Sequence, residues 1–390
     1  VPSRGRTTFQ GYLRADGRAG TRNRVLVLSI LGLVTRVAER IAACVPGTLL
    51  VATPYGRGQY GADKNLHRAQ LVGLCRNPNI AAVLVVGADR ISVDQIAAAA
   101  AESGKPVRFV ALDDTHEDAV EASARGIRIA AELVHSASRL ERTELPAAAL
   151  FLGVECGHSD ATSGLVANPV AGSCVDRIVD AGGTAVVGET VEWLGAEHIV
   201  SKRAEDPAVA ARLVAAVLRR EAAVAAGGHD LTGNNPGAEN IRGGLSSIEE
   251  KSLGAIAKTG TKPIRGVLDV GEFPAGPGLY LMDGPSFSPE SLTGFAASGA
   301  NLMLFTTGAG NSFCNAVAPT IKITGRPDTA RRLAGQIDFD ASAVFEGRED
   351  IGSAGERLFG LVLEIASGAA TWGEVNGEGA EAFYRAGGSM

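Results

Sequence analysis

Residues 148–183 read AALFLGVECGHSDATSGLVANPVAGSCVDRIVDAGG, and the order of apolar run, polar loop and amphipathic stretch in them decides the fold. The run from Ala148 to Glu155 has the continuous apolar character of a strand buried on both faces. Asn168 and Pro169 then read as a helix N-cap and its first position. Ala171, Cys174, Val175, Ile178 and Val179 recur at helical spacing until Gly182 and Gly183 stop the helix. Cys174 is thereby core filler. Cys156 to Ala167 reads as a loop at the carboxyl end of a buried strand, where open α/β sheets place their ligand sites.

The same rhythm extends in both directions. RVLVLSI from Arg24, TLLVATP from Thr48, IAAVLVVG from Ile80 and VRFVALD from Val107 are apolar runs separated by helical periods, and TAVVGE from Thr184, GLYLMD from Gly278 and NLMLFTT from Asn301 repeat the pattern later. Such alternation predicts an α/β chain with two Rossmann-like parallel-sheet domains, residues 1–145 and 146–390, the second being the catalytic one. Residues 222–244, AAVAAGGHDLTGNNPGAENIRGG, form a long polar loop region between strands of the second domain, with the composition of a functional loop or lid.

Composition narrows the function. A net charge of -6 with no clustered basic stripe argues against nucleic acid and favours small substrates. Five cysteines in no regular spacing are not a disulfide framework and point to a reducing cytoplasm. No signal-like start and no apolar stretch of about 18 residues is present, so no membrane association is expected.

Four stretches carry chemistry. Cys156, His158 and Asp160 offer a thiolate, an imidazole and a carboxylate that could hold Fe(II) or Zn, or else a turn in which Asp160 bonds nearby amides. GETVEWLGAEHIVSKRA from Gly188 brings Glu189, Glu192, Glu197 and His198 close to a strand end, with Glu197 and His198 as ligand and general base. Lys251 sits in the first turn of a helix opened by Ser246 and Ser247, where a cation opposes the helix dipole unless an anion answers it. Arg14, Arg18 and Arg22, at intervals of four beside a glycine-rich turn, could clamp a carboxylate or sulfonate. Gly56, Gly58 and Gly61 satisfy a dinucleotide fingerprint formally. However, they follow the second strand rather than the first, no acidic residue ends the next strand at the required distance, and no cofactor-binding residues are assigned.

Taken together, GYLRADGRAGTRN, GRGQYGAD, NPNIAAVLVVG, ECGHSDATSGLVANP, GAEHIVSKRA, GGLSSIEEKSLGAI, GLYLMDGPS, TGFAASGANLMLFTTG and PTIKI, in this order from about residue 11 to 345, resemble the altronate and galactarate dehydratase family. The split members of that family include the large subunit of (2R)-sulfolactate sulfo-lyase. The resemblance implies Fe(II)-dependent β-elimination from a hydroxylated carboxylate in sugar-acid catabolism. It also implies a small β-rich (SAF-type) domain that can be a separate partner subunit, and a homo-oligomer is expected. The site that follows takes Cys156, His158 and Asp160 as metal ligands and His198, Glu197 and Lys251 as catalytic residues. Arg14, Arg18, Arg22, Asn168, Thr306 and Thr307 contact substrate. The first expectation is a hydro-lyase of altronate or galactarate type. The alternatives are sulfite release from sulfolactate, an NAD-dependent oxidoreductase and a non-catalytic paralogue. Departures from the family pattern at Arg57, at Ala88 to Arg90, at Asn235 to Asn240 and at Ala309 fall in polar loops and leave Cys156 as the one family cysteine of three.

Overall fold

The computed structural model describes residues 7–228 and 235–385. The chain opens with the hairpin β1 (Thr8–Leu13) and β2 (Ala19–Gly20), then enters a parallel sheet of β3 (Arg24–Ser29), β4 (Thr48–Ala52), β5 (Ile80–Gly87) and β6 (Val107–Ala111), in the spatial order β4-β3-β5-β6. Helices α1 (Thr35–Cys44), α2 (Gly61–Arg76) and α3 (Arg90–Ala101) make the crossovers, and α4 (Ala119–Ala137) follows β6. All eight residues of β5 are buried. An apolar run without alternation needs cover on both faces, and α1 with α4, and α2 with α3, supply it.

The strand β7 (Thr143–Pro146) returns to pair with β1 in a small antiparallel sheet. A second parallel sheet follows, built from β8 (Phe151–Cys156), α5 (Asn168–Asp180), β9 (Thr184–Val187), α6 (Glu197–Val200), α7 (Pro207–Ala226), α8 (Ala238–Arg242), α9 (Ile248–Ile256), β10 (Ile264–Asp269), β11 (Gly278–Asp283), α10 (Ser288–Ala297) and β12 (Leu302–Thr306). The chain closes with β13 (Cys314–Asn315), β14 (Thr320–Thr324), α11 (Pro327–Arg332), β15 (Phe339–Asp340), α12 (Ser342–Phe345), α13 (Ile351–Ala366), α14 (Trp372–Asn376) and β16 (Gly379–Ala380). The seven-stranded order is β10-β11-β9-β8-β12-β14-β15, parallel throughout. The chain leaves β8 toward β9 on one side and returns later as β12 on the other, so the carboxyl end of β8 lies at a topological switch point.

The two sheet units meet where α2 packs on α10. A Cβ at Gly73 would stand 2.1 Å from the Ala297 carbonyl, so the two backbones approach as only glycine permits. Asn77 ties the joint by donating to the carbonyls of Ala296 and Ala300, each at 2.8 Å.

The strands expected at Arg24, Thr48, Ile80, Val107, Thr184, Gly278 and Asn301 are all present, and the one expected from Ala148 starts at Phe151, after a helical turn over Ala147–Ala149. The expected loop up to Ala167 is shorter than read. A π-helical turn, Ser163–Ala167, already runs into α5, because Asp160 accepts from the Ser163 amide at 3.1 Å and starts the helix ahead of Asn168. In the polar loop region, α7 extends to Ala226 and α8 begins at Ala238, while residues 229–234 lie outside the described residues.

Candidate active site

At the carboxyl end of β8, Glu155 and Cys156 are both buried, the first fully. Glu192 reaches them from a 3-10 turn, Thr190–Trp193, that follows β9. The turn is pinned by Thr190, which donates to Asp283 at 2.8 Å, and by the buried ring of Trp193. Lys258 enters from a second 3-10 turn, Ala257–Thr259, at the end of α9, and it too is fully buried. That turn presses directly on α5: a Cβ at Gly172 would lie 2.2 Å from the Ala257 carbonyl. Gly260, with φ 61°, allows the chain to leave, and Asp176 accepts from the Thr261 amide at 2.8 Å.

These elements bring four functional groups together. The Cys156 thiol donates to Glu192 Oε1 at 2.9 Å, and Lys258 Nζ lies 3.3 Å from Cys156 Sγ and 3.5 Å from Glu155 Oε1 while pairing directly with Glu192. Ligand atoms of Glu155, Cys156 and Glu192 all lie within 4.8 Å of one another. Glu155 Oε1 also accepts from the Cys156 amide at 2.8 Å, while its Oε2 is buried with no hydrogen-bond partner among the described residues. Burial pushes the Glu155 carboxyl well up, with Glu192 adding to it and Lys258 opposing. Burial likewise raises the Cys156 thiol, again with Glu192 adding and Lys258 opposing. For Lys258 burial works against the charge, but Cys156, Glu192 and Glu155 together outweigh it and hold the ammonium above its ordinary value.

Glu189 links this group to solvent. It is itself 8% exposed, and it forms part of the wall of a cavity of about 630 Å³ with Lys251, Asn235, Asn240, Ser247 and Ser286. Burial first, then the neighbouring Glu192, raise its carboxyl to about 8, with Lys258 and Lys251 opposing. Lys251 Nζ donates to Asn235 Oδ1 at 2.6 Å on the same wall.

The residues expected from sequence are distributed differently. Cys156 joins the group that could hold a metal, but His158 and Asp160 do not. His158 is exposed, has φ 50°, and its Nδ1 bonds the Gly310 carbonyl at 2.7 Å. Asp160 is taken up by Thr162, by the Ser163 amide and by Arg326 at 3.2 Å. Glu197 and His198 begin α6 and do not line the cavity, and His198 is exposed.

The three arginines join elements instead of facing the cavity. Arg14 donates to the carbonyls of Pro78 and Arg22 at 2.7 and 2.9 Å, and burial lowers it to about 10. Arg18 holds Asp16 and the Arg76 carbonyl and stacks 4.7 Å from the Phe273 ring. Arg22 grips Glu374 with two bonds of 2.7 Å and the Ile365 and Ala369 carbonyls. Asn168 accepts from Thr306 at 2.6 Å and donates to the Gly254 carbonyl, a buried tie between α5, β12 and α9, and Thr307 accepts from the Gly310 amide.

Glu155 and Lys258 were not anticipated from the sequence. A carboxyl inside the apolar run FLGVEC was a usable signal for Glu155. A single lysine at a helix end offered none.

Fold and site together define an α/β enzyme built around a buried carboxyl, thiol and ammonium group at the carboxyl edge of a parallel sheet, with a donor set able to chelate a divalent ion. Its family follows from two matches: D-galactarate/altronate dehydratase, C-terminal, over residues 147–388, and D-galactarate dehydratase/altronate hydrolase, second domain, over residues 11–138. The chain belongs to the D-galactarate/altronate dehydratase family and is a lyase. It is 39% identical over 374 residues to the beta subunit of (2R)-sulfolactate sulfo-lyase from Chromohalobacter salexigens, with 95% of each chain covered. It is 31% identical to altronate dehydratase of Escherichia coli, over 97% of this chain and 78% of the relative. Identity to galactarate dehydratase (L-threo-forming) of Escherichia coli is 29%, over 93% of this chain and 73% of the relative. Among the described residues no helix is long and apolar enough to cross a membrane.

Proposed function

We propose that the chain is a carbon–sulfur lyase that eliminates sulfite from a sulfolactate-type acid. The observation that carries this reading is the 39% identity to a sulfo-lyase subunit over nearly the whole of both chains, against 29–31% for the sugar-acid dehydratases. It replaces the expectation of water loss from altronate or galactarate as the first choice.

The elimination breaks the C2–H bond, sends the electron pair into a C2–C3 double bond and expels the C3 substituent with the pair of its own bond. The enol then becomes a 2-keto acid. Proton removal beside a carboxylate is the hard part. Glu189 is suited to it: it touches the cavity, and a carboxyl that titrates near 8 is a stronger base, once ionised, than an ordinary one. Lys251, on the same wall, offers its ammonium to an anionic group of the substrate. Lys258 neutralises the buried acids behind Glu189 and keeps them in place.

A metal fits the residues present. A thiol with two carboxyls is a donor set for a borderline divalent ion, and Glu155 Oε2 is a buried acceptor with no protein partner. Glu155, Cys156 and Glu192 would hold it, and such an ion supplies Lewis-acid stabilisation to the substrate carboxylate and hydroxyl. Iron is the ion proposed. A small partner subunit and a homo-oligomer in the cytoplasm belong to the same reading, and the native mass of the active species tests both assembly expectations.

The deciding experiment incubates anaerobically purified, ferrous-loaded protein with (2R)-sulfolactate, altronate and galactarate, and measures sulfite and 2-keto acid. Stoichiometric sulfite from sulfolactate alone supports the proposal. Keto acid from a sugar acid with no sulfite overturns it in favour of the hydro-lyase.

A further inference from the structure

The first sheet has a cavity of its own. Its volume is about 250 Å³, and it opens at the carboxyl edge of that sheet, with Ile30 and Leu31 after β3 on one side and Ser92 after β5 on the other. In the order β4-β3-β5-β6 the chain leaves β3 toward β4 and returns on the far side as β5. The gap between the ends of β3 and β5 is therefore the topological switch point of the first unit, the place where open α/β sheets bind ligands.

The lining has a definite chemistry. The floor is apolar, from Ile30, Leu31, Leu71 and Ile96, and the walls present Arg57, Lys64 and Arg68. Two acids flank the lining: Asp89 caps α3 through Oδ1, which accepts from the Ser92 amide at 2.8 Å, while its buried Oδ2 has no hydrogen-bond partner among the described residues and faces Arg57 at 3.7 Å, and Asp63 pairs with Arg385 at 3.0 Å. His67, also in the lining, bonds Thr53 at 2.8 Å. Gln59 is 7% exposed, lines the cavity, and its Nε2 is buried with no hydrogen-bond partner among the described residues. A buried amide donor without an acceptor is a costly arrangement, and an acceptor brought by a ligand relieves it.

We propose that this cavity is a second ligand site, separate from the Glu155–Cys156 centre, that takes a small organic acid by its oxyanion. Gln59 donates to the oxyanion, Arg68 and Lys64 balance its charge, and the apolar floor receives a short carbon body. Its volume equals about eight waters' share of the liquid. That accommodates an acid of a few carbons and excludes a dinucleotide, so the Gly56, Gly58 and Gly61 loop beside it serves an anion rather than NAD.

Calorimetric titration of the full chain with pyruvate, 2-phosphoglycolate and inorganic phosphate separates carboxylate, mixed and phosphate recognition. Each titration is repeated in Gln59→Leu, in Arg68→Ala and in Lys258→Met, the last of which disables the central site. The expected result is millimolar or tighter binding of at least one probe, with one ligand per chain. It should weaken roughly tenfold in Arg68→Ala and in Gln59→Leu and persist in Lys258→Met. Circular dichroism confirms that each variant is folded, and Arg68, at the exposed surface of α2, keeps the test open if Gln59→Leu does not fold. Absence of binding by all three probes overturns the proposal. Binding abolished by Lys258→Met and untouched by Arg68→Ala also overturns it, by assigning the anion to the central site.

Discussion

Replacing Lys258 by methionine removes the cation that the described residues place inside the buried centre while keeping most of the side-chain volume. Lys258 pairs in direct contact with Glu192, an attraction on the order of 4 kcal/mol at an effective dielectric of about 20 before desolvation is counted, while burial pushes the neighbouring Glu155 carboxyl toward its neutral form. Desolvation of the pair offsets much of that in the native protein, but deleting one partner leaves the other stranded, which costs about 3–5 kcal/mol. We predict a loss in that range for Lys258→Met at neutral pH, read as a shift of the urea midpoint with unchanged slope. Glu192, the partner in direct contact, provides the control. Glu192→Gln in the Lys258→Met background should cost much less than it does alone, with a coupling energy of about 2 kcal/mol in the double-mutant cycle. A loss below about 1 kcal/mol, with the two changes additive, would show that the four groups do not act as one unit.

Three further outcomes follow from other parts of the molecule. His67 is held down to about 4, chiefly by burial, with Asp63 pulling the other way; the unfolded chain therefore takes up this proton below about 6.5 and the folded chain does not. Stability should fall as pH drops from 6.5 to 4, by about 3 kcal/mol at most, and His67→Gln should flatten that slope in urea titrations run across the window. Arg22→Lys cannot reproduce the two-pronged grip on Glu374 together with the carbonyls of Ile365 and Ala369, and it should cost about 2–4 kcal/mol by thermal unfolding. Gly172→Ala places a Cβ 2.2 Å from the Ala257 carbonyl and pushes the Lys258 turn off α5. It should cost about 1–3 kcal/mol and lower kcat, whereas Gly335→Ala, with open space around its Cβ, should do neither.

Much of the fold is legible because parallel strands buried on both faces must be apolar throughout. IAAVLVVG, LMLFT and TAVV carry that mark with turns or helical periods on either side. Three strands of the second sheet escape it, the two-residue β15 because it is too short to carry a run. The strand β10 interrupts its apolar residues with Arg265, exposed, and Gly266, half-buried. The strand β14 contains Lys322, buried only because Glu378 pairs with it at 2.8 Å from a segment 56 residues away. The site divides along the same line. Cys156 could be placed, since a cysteine at a strand end before a helix is a local signal. Glu192 and Lys258, 36 and 102 residues further on, converge on it through turns whose packing against Asp283 and Gly172 no local pattern encodes. The arginines show the converse. Guanidiniums at intervals of four resemble an anion clamp, yet backbone carbonyls at the ends of strands and helices compete for the same donors, and here they win.

Glu155, Cys156 and Glu192 are placed so that they could hold one divalent ion. Anomalous diffraction from a crystal grown anaerobically with ferrous iron tests it most directly. A peak at about 2.3 Å from Cys156 Sγ, with oxygens of Glu155 and Glu192 completing the contacts, is the predicted result. A peak bonded to His158 and Asp160, with Cys156 still donating to Glu192, would contradict it.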